Sequence, residues 1–219
     1  MGVDVGGRTK GFHAVVIQHG RVLSKTNDCD PEGIATWCLG HNPRAVAVDA
    51  PCAWSQSGSS RAAERDLRLF GKKISCFSTP TRAKAKQNVS SFYGWVFNGE
   101  SLYQQLEKSH RIFTGMDADG TVCVETFPHA VACSLDGKIM PAKHKVRERR
   151  RVLANCGIDE SALPNIDFVD AALCAVAADC FVRGCYQRFG APGEGYIVLP
   201  DFSTTERLDS SFALPSISL

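Results

Sequence analysis

Ala45-Val46-Ala47-Val48-Asp49-Ala50-Pro51 is an apolar, β-rich run that does not alternate, ends on an acid and stops at a proline. A strand wetted on one face alternates polar with apolar residues; one covered on both faces does not, and such strands lie under helices in parallel sheets. The run therefore predicts an interior strand with Asp49 at its carboxyl end. Upstream, Asp30-Pro31-Glu32 opens a helix with an acidic first turn and an N-terminal proline, reaching about Leu39. Before it, His19-Gly20 joins two β-type runs, Phe12 to Gln18 and Arg21 to Ser24, as a hairpin, and residues 2–6 form a first strand ahead of Gly6-Gly7. The order is β-β-β-α-β, three antiparallel strands and then a crossover to a strand parallel to the first. The expected class is α/β, a mixed sheet of about five strands (three antiparallel, two parallel) flanked by helices.

Downstream, Ser55 to Ser60 reads as a mobile Ser/Gly loop, Arg61 to about Phe70 as a helix, and residues 72–88 as an ordered functional loop or lid. Ser90 to His110 reads as a long helix whose aromatic residues (Phe92, Tyr93, Trp95, Phe97, Tyr103) pack in the core. Asp117 to Gly120 signals a turn, with a hairpin returning through Val122 to Phe127. Helices are expected over Pro128 to Leu135, over the basic stretch to Leu153, and from Asp167 to about Arg188, with an edge strand at Tyr196 to Leu199. One domain over residues 1–200, with a helical insertion at roughly 52–112 and a loose tail at 201–219, accounts for the whole chain.

With 219 residues, 44% of them hydrophobic, the chain can bury a sizeable core. A net charge of +2 is uninformative about a polyanionic partner, whereas local basic runs, Lys143 to Arg151 and Arg61 to Lys73, mark candidate phosphate-facing segments or solvated helix faces. The ten cysteines form no CxxC pair, and Cys123, Cys133, Cys174 and Cys180 sit in apolar runs. They read as reduced, buried thiols of a cytoplasmic protein. No stretch has the form of a signal peptide or a membrane span, and Met1-Gly2 lacks the residue-6 hydroxyl of a myristoylation motif. A catalytic serine or cysteine has no supporting motif.

Acids recur where apolar runs end: Asp4 after Gly2-Val3, Asp49 after Val46-Ala47-Val48, and Glu125 after Val122-Cys123-Val124. Asp167 and Asp170, three apart on one helix face, begin the most apolar helical stretch. Buried carboxylates repel one another and take up protons unless a cation joins them, and oxygen-only ligation points to Mg²⁺ or Mn²⁺. In α/β sheets, ligands sit at the carboxyl ends of parallel strands, where Asp4 and Asp49 are expected. A plainer role is open to each acid as well. Asp4 could bond its turn, Asp49 cap a loop, Glu125 face solvent and Asp167 cap its helix.

Taken together, Gly2-Val3-Asp4, Val48-Asp49-Ala50-Pro51, Arg61-x-x-Glu64-Arg65, Ser78-Thr79-Pro80, Glu125-Thr126-Phe127-Pro128, Lys145 to Leu153, Asp167-x-x-Asp170-Ala171 and Glu194 to Pro200 span almost the whole chain. In this order they resemble the ribonuclease H-like fold in its resolvase branch, and more closely the predicted nucleases labelled domain of unknown function 429 (DUF429). The resemblance implies metal ligation by Asp4, Asp49, Glu125 and Asp170, with Asp167 as a fifth ligand or a group behind the ligands. An acid is expected after the proline of Glu125-Thr126-Phe127-Pro128. This chain has His129 there, which would then transfer protons or hydrogen-bond Glu125.

The leading expectation is a metal-dependent phosphodiesterase acting on nucleic acid, RNA or DNA, with Arg61, Arg65, Lys145 and Arg149 gripping phosphates or simply facing solvent. Two alternatives stand beside it. Asp4-Val5-Gly6-Gly7-Arg8-Thr9-Lys10 is similar to the first phosphate loop of actin-like and sugar-kinase phosphotransferases. A non-catalytic scaffold of the same fold is the other. The oligomeric state is left open, a homodimer included.

Overall fold

The computed structural model describes residues 1–116, 120–141 and 143–201. Its centre is a sheet that begins with β1 (Gly2–Val5), β2 (Phe12–Gln18) and β3 (Arg21–Asp28), antiparallel in sequence. Helix α1 (Pro31–Gly40), capped by the Asp30 carboxylate on the Gly33 amide, crosses over to β4 (Ala45–Asp49), which pairs in parallel with β1. The expected core topology is therefore present. All of β4 up to Val48 is buried, as the lack of alternation requires.

The sheet is larger than expected, with eight strands rather than about five. To β4 are added β7 (Arg111–Ile112), β8 (Val122–Glu125), β9 (Tyr186–Ala191) and β10 (Gly195–Pro200), and the main path runs β3-β2-β1-β4-β8-β10-β9. In the sheet's second half and the last helix, three details depart from the sequence reading. First, β7 pairs with β8 in parallel, so Val122 to Phe127 is not the return arm of a hairpin; residues 117–119 of the expected turn lie outside those described. Second, β10 is an interior strand between β8 and β9, not the edge. Third, the last helix, α7 (Ile166–Val182), stops before Gly184, whose φ of +72° takes the chain out of helical geometry, and the residues expected to continue it form β9. The tail beyond residue 201 also lies outside the described residues.

The insertion between β4 and β7 is only partly helical. It comprises α2 (Ala62–Asp66), a small hairpin of β5 (Arg68–Leu69) and β6 (Lys72–Lys73), α3 (Arg82–Gln87), a 3-10 turn at Ser91–Tyr93, and α4 (Gly94–Leu106). After β8 come α5 (Pro128–Asp136) and the basic α6 (Lys145–Asn155).

One face of the sheet is covered by α7, which meets β1 and β4 through small residues. A Cβ placed on Gly2 would lie 2.1 Å from the Ala171 carbonyl oxygen and 2.2 Å from the Ala175 amide nitrogen. Backbone therefore packs on backbone, which only glycine permits at that point. The other face holds α1 and α4, whose Ile34 and Leu102 cluster with Val3, Val46 and Val48 of the sheet. Cys123, Cys133, Cys174 and Cys180 are buried, as their apolar surroundings suggest. Among the described residues no helix is long and apolar enough to cross a membrane.

Candidate active site

Because β1 and β4 are parallel and in register, Asp4 stands directly beside Asp49 at the strand ends. The close approach of α7 at Gly2 sets Asp170, one residue before Ala171, against the same end of the sheet. Asp4, Asp49, Glu125 and Asp170 all line one cavity of about 430 Å³, together with Lys10, Arg61, Lys145 and Arg149. That volume lies within the usual range of ligand sites. The convergence expected from the sequence thus holds for all four strand and helix acids, while Asp167 and Arg65 stay outside the lining.

The acids differ in their partners. Asp4 is 4% exposed and accepts from Lys10 Nζ at 2.9 Å; the same ammonium meets Asp167 Oδ1 at 2.8 Å. Asp170 is paired with the buried Arg149 guanidinium. The Asp49 carboxylate has no hydrogen bond or ion pair with any described residue, although its backbone belongs to the β1–β4 ladder. Burial lifts the Asp49 carboxyl well above the ordinary range, and Asp4 and Asp170 lift it further, against Arg149 and Lys10. Burial also raises Asp4, with Lys10 opposing, and pushes Asp170 up to about 6 despite Arg149. For Lys10, burial works against its charge, yet the two carboxylates hold its pKa above the usual value. The site is a carboxylate trio short of positive charge at Asp49.

Glu125 is held differently. Arg61 Nη1 donates to its Oε2 at 2.8 Å and Nη2 to its Oε1 at 2.5 Å, and the Cys52 amide adds a third bond at 2.8 Å. Arg61 is 1% exposed, and its Nε donates to Glu64 at 2.9 Å. A guanidinium so enclosed is engaged at all three of its nitrogens by Glu64, Glu125 and the Glu194 carbonyl. Arg61, expected to grip a phosphate or face solvent, is buried and forms an ion pair with Glu125, both of whose oxygens accept from it. Glu194, outside the lining, braces Arg61 through its carbonyl oxygen, and its carboxylate accepts from the Ala62 amide at 2.8 Å, the Gln56 amide at 2.9 Å and Ser55 Oγ at 3.2 Å. Ser55 to Ser60 is consequently pinned at Ser55, which is buried, rather than loose along its length. Residues 72–88 are tethered too, because the Thr79 amide donates to Glu64 at 2.8 Å and Pro80 O accepts from the Ser55 amide.

Of the other expected residues, Lys145 stands exposed at the cavity edge on the first turn of α6. Arg65 is exposed and reaches Ser60 O and Glu194. Asp167 does not cap α7; Asn165 does, accepting from the amides of Asp167 and Phe168. Among the described residues His129 bonds neither Glu125 nor any other acid. Its Nε2 lies 3.8 Å from Cys133 Sγ and its ring sits against Phe127. Burial, then Arg149 and Lys145, lower its pKa.

Two residues escape a reading of the sequence alone. Lys10 has the look of a surface-turn residue, although the closely spaced glycines before it (Gly6, Gly7) mark a tight loop, closed by Gly6 N to Gly11 O at 2.8 Å, that returns its side chain to Asp4. His13 faces Asp4 across the β1–β2 register and lies 4.0 Å from Asp167, with its Nδ1 buried and unpartnered. Its only signal is a polar residue inside an apolar strand.

The family model described as "Protein of unknown function (DUF429)" matches residues 2–194. The chain belongs to this family. The DUF429 match begins at β1 and ends at Glu194, so it takes in both strand-end aspartates, the Arg61–Glu125 pair and Asp170. No curated protein and no solved structure matches the chain. Among the described residues no group of three or more His, Cys, Asp or Glu is spaced to hold a metal ion as the side chains stand.

Proposed function

We propose that this cavity is the active site of a divalent-metal-dependent nuclease built on a ribonuclease H-like fold. The observation that carries the reading is the register of Asp4 beside Asp49, with Asp170 brought against them by α7; Asp4 and Asp170 raise the affinity of Asp49 for a proton or cation, and Asp4 raises that of Asp170. The strand order β3-β2-β1-β4-β8 and the late helix bearing an acidic pair support the fold assignment.

The donor set fits a hard cation in its chemistry: three carboxylates, one without any partner among the described residues, and no imidazole donor in the lining. Asp4, Asp49 and Asp170 are the residues that would hold Mg²⁺ or Mn²⁺, on release of Lys10 from Asp4. Glu125 is left out of this set because Arg61 and the Cys52 amide occupy it. A bound dication of this kind supplies Lewis acidity and an activated water for displacement at phosphorus. The chain itself supplies positive charge for the phosphodiester. Lys145 is open at the rim, Arg149 stands behind Asp170, and Lys10, half exposed, can turn from Asp4 to a phosphate oxygen.

The test is cleavage of single-stranded, hybrid and branched substrates with Mn²⁺ or Mg²⁺, against Asp49→Asn. Among the described residues the Asp49 carboxylate has no hydrogen bond or ion pair to lose, so this variant is expected to keep the fold. Metal-dependent cleavage by the wild type and loss of roughly a hundredfold or more in the variant is expected; equal rates would remove the proposal. Absence of cleavage together with tight ATP binding by calorimetry would move the site to the phosphotransferase reading.

A further inference from the structure

Beside the acid cavity lies an aromatic shelf, anchored on the core through Trp95 and exposed at Phe92. Phe77, Phe92, Tyr93 and Trp95 form one cluster, with ring centroids 5.7 Å (Phe77–Phe92), 6.0 Å (Phe77–Tyr93), 4.9 Å (Phe77–Trp95) and 5.0 Å (Phe92–Tyr93) apart. The sequence pattern assigns such rings to the interior, and Tyr103 is indeed buried. Phe92, however, is 60% exposed and the neighbouring Val89 lies fully in solvent. The presentation is built: the Asn88 side chain accepts from the Ser90 amide at 2.9 Å, and Ser90 Oγ accepts from the Phe92 amide at 3.3 Å, holding the turn that displays the ring.

The shelf connects two hollows. Phe77 and Trp95 are part of the wall of the acid cavity, and Tyr93 belongs to an adjacent hollow that also contains Arg8 and Lys86. Gly7 and Ser91 are common to both, so the groove is continuous from the carboxylates, past the rings, to basic side chains. Lys86 lies in the last turn of α3, where it lines the same groove. A row of phosphate-seeking cations, a stacking surface and an acid pocket in sequence match one chain chemistry: phosphates along an edge with flat bases projecting from it. A duplex keeps its bases stacked inside and offers none to a ring.

We infer that the Phe77–Phe92–Trp95 shelf stacks an unpaired nucleobase of a single-stranded nucleic acid whose backbone runs from Arg8 and Lys86 into the acid cavity. This names the substrate class for the proposed nuclease and rests on that reading for the direction of the strand, but the binding itself needs no metal and no cleavage. Base-on-ring stacking is tolerant of sequence, so the preference is for strandedness rather than for a motif.

The experiment titrates the full-length chain, in EDTA, into a single-stranded oligonucleotide carrying 2-aminopurine and into the same sequence as a duplex. Stacking quenches the probe in the single strand. Phe92→Ala is expected to weaken single-strand binding roughly tenfold and abolish the quenching, Phe92→Trp to restore both, and neither to alter duplex binding. Lys86→Gln should instead reduce the salt dependence of affinity by about one counterion while leaving the quenching in place. Absence of single-strand binding by the wild type, unchanged binding by Phe92→Ala, or an equal loss for duplex and single strand would overturn the inference. Binding with these signatures but no cleavage in metal would retain the shelf and remove the nuclease. Cleavage unaffected by Phe92→Ala would do the reverse.

Discussion

Replacing Arg61 by methionine separates a structural arginine from a phosphate-binding one. Methionine keeps most of the stem and removes the guanidinium. Glu64 retains two partners afterwards, the amides of Arg61 at 3.1 Å and Thr79 at 2.8 Å, so little is lost there. Glu125 retains a single bond, from the Cys52 amide, for a carboxylate that is 4% exposed. The cost is that of an uncompensated buried charge, about 3–5 kcal/mol. For a domain of this size it amounts to a fall in melting temperature of roughly 6–20 °C. Adding Glu125→Gln removes the stranded charge while keeping an oxygen for Cys52, and the double variant should regain about 2 kcal/mol or more, a coupling that only contacting groups give. Urea and thermal denaturation of the four proteins of the cycle measure this directly. If Arg61→Met melted within about a degree or two of wild type yet lost affinity for oligonucleotides, the buried-pair reasoning would fail and the arginine would be a phosphate ligand.

Other expectations follow from the same geometry. Asp170, with a pKa raised to about 6 in the fold from 3.8 for the free side chain, stabilises the folded state below about pH 4, and this contribution is lost as pH rises to about 6. Melting curves in EDTA should therefore fall more steeply over that window for wild type than for Asp170→Asn, by on the order of 2 kcal/mol. Lys10→Met removes the ammonium that bridges Asp4 and Asp167, and calorimetry should show Mn²⁺ binding strengthened about tenfold; unchanged affinity would separate Lys10 from the cation site. Gly2→Ala forces a methyl group into the Ala171–Ala175 backbone of α7, and a loss of about 3 kcal/mol or more is expected in urea denaturation.

The features legible in the sequence are those in which a physical rule acts locally. Ala45 to Asp49 announces a covered strand, and the acids ending Gly2-Val3-Asp4 and Val46-Ala47-Val48-Asp49 announce a shared end of the sheet. Pattern alone stops β3 at Ser24, because Lys25 to Asp28 is polar; the strand is largely exposed along its length, and hydrophobicity says nothing about where such a strand ends. Pattern also runs β9 into the preceding helix, because its Tyr-Gln-Arg-Phe run follows an alanine-rich stretch without a break other than Gly184. In the site, the carboxylates can be found from sequence because a buried acid is costly anywhere. The partners of those acids cannot. Arg61 and Lys10 are of residue types that ordinarily lie at the surface, and only the tertiary fold shows that one is enclosed and the other folded back on Asp4.

The wall of the cavity joins segments made at very different times. Glu194 fastens Gln56, 138 positions earlier in the chain, and Glu125 fastens Cys52, 73 positions earlier. A nascent chain emerging from the ribosome can lay down β1 to β4 while these loops still lack their clasps. The lining, to which β10 gives Ile197, therefore takes its final form only once β10 has been delivered, and a truncated product would carry its aspartates in an unfinished vestibule.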